Sequence, residues 1–194
     1  MQYVKDINAV SPTWLIKGFL SDDKDAPKLK GYKVLGDLES YKITGEDFLF
    51  CAVGDTRYKL KIYDYVKKHN GNIASIIHPS AWIGENVAYG EGCVFCPNSV
   101  VTCDVEIGNM VALNVSTSIG HDVVIGDGCT LSSHIDITGG AILGQGVFIG
   151  SHASVLPKVN IGDFSIIGAG AIVNKDVPAN TTVAGVPAKI IKKG

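Results

Sequence analysis

The sequence predicts a small α/β unit over residues 1–77 and a parallel β-helix over 78–180, before a tail at 181–194. Two observations carry this. The first is a column of apolar residues with a period of six: Ile83, Tyr89, Phe95, Val101, Ile107, Leu113, Ile119, Ile125, Leu131, Ile137, Leu143, Ile149, Val155, Ile161, Ile167 and Val173, unbroken by any insertion. The second is that strand-like and helix-like segments alternate before the column begins, which is the order expected of a parallel sheet with a crossover helix.

A helical period of 3.6 cannot hold a register of six, and simple strand alternation would not confine glycine to one column in six. A chain that runs a short strand, turns and repeats does hold it. Gly84, Gly90, Gly108, Gly120, Gly126, Gly144, Gly150, Gly162 and Gly168 each follow a column residue, where the expectation is that they let the backbone bend. Small or β-branched residues such as Val87, Ser99, Val105, Val123, Ala141 and Ala171 lie two positions before it and fit beside the large ones. In the first part, WLIKGFL and DFLFCAVGD read as strands, and TRYKLKIYDYVKKHN reads as a helix with Leu60, Ile62, Tyr63 and Val66 on its apolar side and Gly71 as its stop. NIASIIHPSA reads as a third strand leading into the repeats.

Composition narrows the function. Apolar residues make up 46% and charged residues 19% of the 194, enough to build a core, and the net charge of −2 draws the chain neither to nucleic acid nor to an anionic membrane. No run reaches the roughly 18 apolar residues of a membrane helix, and no signal-peptide stretch opens the chain, so a soluble cytoplasmic protein is expected. Cys93 and Cys96 form a CxxC with Cys103 beyond, a spacing that raises zinc. Cys93 and Cys129 fall at inward positions of the repeat, however, and reduced core thiols are the expectation.

The repeat resembles the hexapeptide-repeat acyltransferases, in which three hexapeptides make one triangular coil of 18 residues in a left-handed parallel β-helix. That implies about five coils between Ala81 and Asp176, spaced by about 4.8 Å as in ordinary sheets. GFLSDD (18–23), VLGDL (34–38), AVGDTRYKLKI (52–62) and IIHPSAWIG (76–84), in this order, are similar to the sugar acetyltransferases of bacterial surface glycans. That group includes the sialic acid O-acetyltransferase type and the N-acetyltransferases of UDP-linked 4-amino sugars. The resemblance implies a Rossmann-like N-terminal domain, a C-terminal loop and short helix over 181–194, acetyl-CoA as co-substrate without a metal, and a homotrimer with active sites between subunits. Such domains begin with a strand and a glycine-rich turn; this sequence opens inside the following helix, at about Val4 to Val10, so the domain is expected to lack its first strand.

Acetyl transfer needs a base, donors for an oxyanion and a groove for the pantetheine arm. His121, in SIGHDVVIGD, occupies the outward turn of a hexapeptide and matches the family's catalytic histidine; Asp122 would orient it if the turn curls enough. Gly139 lies 18 residues on, directly above, where its N–H could meet the thioester oxygen. By the same resemblance Thr130, Gly139, Ser151 and Ala169 would contact the cofactor, and Asp22, Asp23, Gly54 and Asp55 a nucleotide sugar. Arg57 is read either as a phosphate ligand or as part of a helix cap, and Lys189, Lys192 and Lys193 as CoA-phosphate contacts or a solvated face. His134 and His152, 18 apart, should stack above Ser116. The expected reaction is acetyl transfer to a nucleotide-linked amino sugar. The alternatives are a sugar hydroxyl acceptor, a non-catalytic trimeric scaffold, and a zinc lyase of the carbonic anhydrase type, which the histidine spacing disfavours.

Overall fold

The computed structural model describes residues 1–21 and 31–193. From Ile76 the chain winds as a three-sided parallel β-helix of two-residue strands. The first face stacks Ile76–Ile77, Val94–Phe95, Ala112–Leu113, Thr130–Leu131, Phe148–Ile149 and Ile166–Ile167. The second runs from Trp82–Ile83 to Ile172–Val173, and the third from Ala88–Tyr89 to Asn160–Ile161. Partners are 18 residues apart on every face, as in Ala112↔Thr130, Ser118↔Asp136 and Val124↔Ile142. All three strands of a coil therefore carry hydrogen bonds to the next coil.

The six-residue column points inwards. Leu113, Ile119, Leu131, Ile137 and Ile149 are completely buried, interleaved with Cys93, Val105, Val123, Cys129, Val147 and Ala153. Large and small side chains thus alternate within each coil and fill it at close-packed density. Only the first coil departs: Tyr89 is 42% exposed, because no earlier coil covers it, and its ring meets Phe95 edge-on at 5.2 Å.

The glycine column has a different cause from the bend expected of it. None of its nine glycines has a positive φ; the left-handed residue lies two places later, as in Asn86, Met110, Asp122, His152 and Phe164. What the column requires is proximity. A Cβ on Gly126 would lie 2.7 Å from the carbonyl carbon of Gly144, and one on Gly150 would lie 2.6 Å from the nitrogen of Ala169. Coils stack so closely at these corners that a side chain has no room.

The N-terminal part holds α1 (Gln2–Val10), β1 (Phe19–Leu20), β2 (Val34–Gly36), β3 (Phe48–Leu49), α2 (Thr56–Lys68) and β4 (Asn72–Ile73). Among the described residues its strands form two separate parallel pairs, β1–β2 and β3–β4, instead of one sheet. Helix α1 sets Val4 against Ala74 and Ile76. Helix α2 starts on Asp55, whose carboxylate accepts from the Tyr58 N–H at 2.7 Å, and buries Val66 against Ile73 and Met110 of the β-helix. Asp47 anchors the segment before β1: it accepts from Lys17 Nζ, from the Thr44 hydroxyl at 2.8 Å and from Tyr41 at 3.2 Å, bonds that hold its pKa down at about 2.

Three expectations need correction. WLIKGFL is a strand only at Phe19–Leu20; Leu15 is 92% exposed, because this stretch finds a partner only in the short β2. NIASIIHPSA is split: Asn72–Ile73 pairs with β3, whereas Ile76–Ile77 begins the first face of the β-helix. The C-terminal short helix is absent. Thr181–Ala184 joins Ile166–Ile167 in parallel and pairs antiparallel with Lys189–Lys193. β-Branched Thr181, Thr182, Val183, Ile190 and Ile191 favour strands, and Gly185, at φ +96°, with Pro187 forms the turn. Among the described residues no helix is long and apolar enough to cross a membrane.

Candidate active site

His121 follows the strand Ser118–Ile119 and occupies the first corner position between the second and third faces. A period of six with an inward column leaves that position nothing to pack against, and the side chain is 66% exposed. Successive residues of a strand would point oppositely, yet Nδ1 of His121 lies 2.6 Å from Oδ2 of Asp122. The reason is the corner itself: Asp122 has φ +58°, and this left-handed residue swings its carboxylate back beside the ring. A carboxylate can only accept, so Nδ1 carries the proton and Nε2 presents its lone pair.

Nε2 hangs over Gly139, one coil on. A Cβ built there would sit 2.6 Å from Nε2 and 2.7 Å from Cε1, so glycine alone admits the ring in this position. The Gly140 N–H donates to the His121 carbonyl at 2.8 Å and pins the two corners together. Among the described residues the Gly139 N–H has no backbone or side-chain acceptor, and the edge is open to solvent. His121, Asp122 and Gly139 thus form one cluster: an oriented imidazole, its carboxylate partner, and an available N–H beside the basic nitrogen.

The other predicted residues lie elsewhere. Ser151 and Ala169 occupy the edge between the first and second faces, one coil apart, joined by the Gly170 N–H to the Ser151 carbonyl at 2.9 Å. On the same edge His134 and His152 stack with centroids 4.9 Å apart and planes 6° from parallel. Gly54 and Asp55 form the exposed turn between β3 and α2. Asp22 and Asp23 lie outside the described residues. Two clefts of about 330 and 440 Å³ open between residues 37–43 and α2 and share Glu39 and Tyr65; neither is lined by His121, Gly139, Ser151 or Ala169.

Thr130 is 5% exposed beneath α2, its hydroxyl donates to the Gly54 carbonyl at 3.1 Å, and it accepts from Lys59 Nζ at 2.7 Å. Arg57 is also committed within the chain: it donates to Asn180 Oδ1 at 2.9 Å and lies 3.9 Å over the Phe164 ring. The cysteines are free thiols, with Cys93, Cys96 and Cys129 buried. Sequence reasoning missed Lys59, which is 2% exposed. Its spacing to Tyr63 and Val66, four and seven residues on, was the available signal, since it puts all three on one helix face.

A profile of the bacterial transferase hexapeptide family (six repeats) matches residues 140–175. A stretch of 29 residues is 66% identical to the 2,3,4,5-tetrahydropyridine-2,6-dicarboxylate N-acetyltransferase of Staphylococcus aureus (strain bovine RF122 / ET3-1), spanning 15% of this chain but only 12% of that relative. The structure of PerB from Caulobacter crescentus, in complex with CoA and GDP-perosamine, superposes with a TM-score of 0.87 at 30% identity over 98% of this chain and 91% of PerB. The chain belongs to the bacterial hexapeptide-repeat acetyltransferases. The acetyltransferase is also similar to WeeI from Acinetobacter baumannii AYE, at 26% identity and a TM-score of 0.89 over 98% of this chain and 93% of that one. For the acetyltransferase domain of PglB from Neisseria gonorrhoeae FA1090 the figures are 25%, 0.88, 97% and 93%. These likenesses extend over both the β-helix and the N-terminal unit of the acetyltransferase.

Proposed function

We propose that the protein transfers the acetyl group of acetyl-CoA to the amino group of a nucleotide-linked amino sugar. The observation that carries this is the His121 imidazole, fixed through Nδ1 by Asp122 and presenting Nε2 beside the Gly139 N–H. PerB, similar over nearly the whole chain, binds CoA and GDP-perosamine. The amine attacks the thioester carbonyl, and Nε2 removes its proton while Asp122 stabilises the imidazolium. The Gly139 N–H donates to the oxyanion of the tetrahedral intermediate. Collapse breaks the carbon–sulfur bond, and the departing thiolate recovers the proton from His121. No acyl-enzyme is required.

Ser151 and Ala169 contact the pantetheine arm through their backbone, and Gly54 and Asp55, with Asp22 and Asp23, receive the nucleotide sugar. The 52–55 turn, Ser151 and His121 sit on different sides of one β-helix: the turn lies against the first face, the Ser151 edge follows that face, and His121 projects from the edge opposite it. A homotrimer that sets the edges of neighbouring protomers together would assemble a complete site, and the cytoplasm would supply acetyl-CoA.

The test is CoA release from acetyl-CoA with UDP-, dTDP- and GDP-linked 4-amino sugars and with free sialic acid. Release with one amino sugar establishes the reading. Release with sialic acid alone replaces the amine by a hydroxyl acceptor, and silence without acetyl-CoA binding leaves a scaffold.

Gly139→Ala gives a sharper check on the site. Because Gly139 does not have a positive φ, alanine suits its backbone, and the methyl acts only by displacing the His121 ring. The expected loss in kcat is about 10²–10³-fold, with acetyl-CoA affinity retained. In the His121→Ala background the same change should have little further effect.

A further inference from the structure

We infer that Thr130 and Lys59 are positioning residues for the acceptor: together they hold the Gly54 carbonyl and thereby fix the 52–55 turn that receives the nucleotide sugar. This rests on the reading of Gly54 and Asp55 given above. Residues 52–55 are all exposed, and they pass between the two-residue β3 and α2. Such a turn has little packing to define it. Its carbonyl at Gly54 is nevertheless tied to the β-helix across 76 residues of sequence, by the Thr130 hydroxyl at 3.1 Å.

The direction of these bonds follows from the groups present. An ammonium can only donate, so Lys59 Nζ donates to Thr130 Oγ1 at 2.7 Å and to the Cys129 carbonyl at 2.8 Å. With its lone pair occupied by Lys59, the single Thr130 proton goes to Gly54. Lys59 thereby holds the Thr130 hydroxyl where it reaches the turn. It does so from a buried place in which no carboxylate pairs with it among the described residues. Burying a lysine on two neutral acceptors is costly, and its hydrogen bonds to Thr130 and Cys129 offset only part of that cost. The result is a relay from the β-helix wall to the acceptor turn, with the first turn of α2 rigidly attached, since Asp55 caps that helix.

Thr130→Val keeps the shape and removes the hydroxyl, and Thr130→Ser restores it. In the full-length enzyme Thr130→Val should raise KM for the amino-sugar nucleotide about five- to tenfold, the effect of one lost hydrogen bond. KM for acetyl-CoA and kcat should stay close to wild type. Amide hydrogen exchange in residues 50–58 should quicken, and Thr130→Ser should return both readouts to wild type. Equal changes in both KM values, or a fall in kcat with acceptor KM unaltered, would overturn the inference in favour of a general structural role. Faster exchange without a change in acceptor KM would also overturn it, by showing that the turn is held but does not receive the acceptor. If the wild-type enzyme accepts no amino-sugar nucleotide, the acceptor reading fails, and unchanged exchange in Thr130→Val would independently dismiss the relay.

Discussion

Replacing His121 by alanine lowers kcat by about 10²–10⁴-fold, the range for loss of a positioned general base. The side chain is 66% exposed and supports no packing, so the melting temperature should not move. Acetyl-CoA affinity, measured by calorimetry, should also persist, because the ring lies on a different edge from Ser151 and Ala169. Asp122→Asn is the informative companion. An amide can donate to Nδ1 and present the wrong tautomer at Nε2, so kcat falls while Gly139 and the corner geometry remain. Unchanged turnover in His121→Ala would remove the base from this edge altogether.

Stability should pass through a maximum near pH 9 and fall steeply above about pH 10.5. Burial pushes the Cys129 thiol up to about 12 and Cys93 to about 11, each donating to a carbonyl, Gly144 at 3.0 Å and Gly108 at 3.1 Å. A raised folded pKa contributes stability that is complete below the unfolded value, near 9, and is lost as pH climbs through the folded value. At ~1.4 kcal/mol per unit, Cys129 forfeits about 4 kcal/mol and Cys93 about 3 kcal/mol by pH 12. Burial also raises Tyr3, Tyr41 and Tyr63, which act in the same direction. Lys59 opposes them over a lower window: desolvation lowers it to about 8, so its cost is relieved as pH rises from about 8 to 10.5, by about 3 kcal/mol. Urea midpoints across pH 7–12 read the balance. Cys129→Ala should flatten the alkaline limb, and an unaltered limb would show that the thiol is not titrating from a buried state.

The β-helix was legible because its signal is periodic and local. Sixteen inward residues at a spacing of six, from Ile83 to Val173, leave few ways to be buried together, and the 18-residue stacking that places Gly139 above His121 follows from counting. The outward position of His121 came from the same count. The N-terminal unit and the tail were harder to read. Leu15 in WLIKGFL is apolar yet exposed, so hydrophobicity alone misassigned it as strand, and the short helix that the resemblance implied for the tail is a strand at Lys189–Lys193. Strand pairing decided both: β2 takes only Phe19–Leu20 of the first, and Thr181–Ala184 takes Lys189–Lys193 across a short turn.

By itself, then, the sequence determined the repeat, the inward core, the glycine column and the edge on which the base stands, all consequences of spacing along one chain. Tertiary structure alone decided that Asp122 turns back onto His121, through a left-handed φ at the corner. It also decided that the glycines serve coil-to-coil contact, and that the Thr130 hydroxyl is shared between Lys59 and Gly54. Each of these depends on atoms brought within 3 Å or so by residues distant in sequence, or on a single dihedral angle, and neither leaves a trace in the order of residue types.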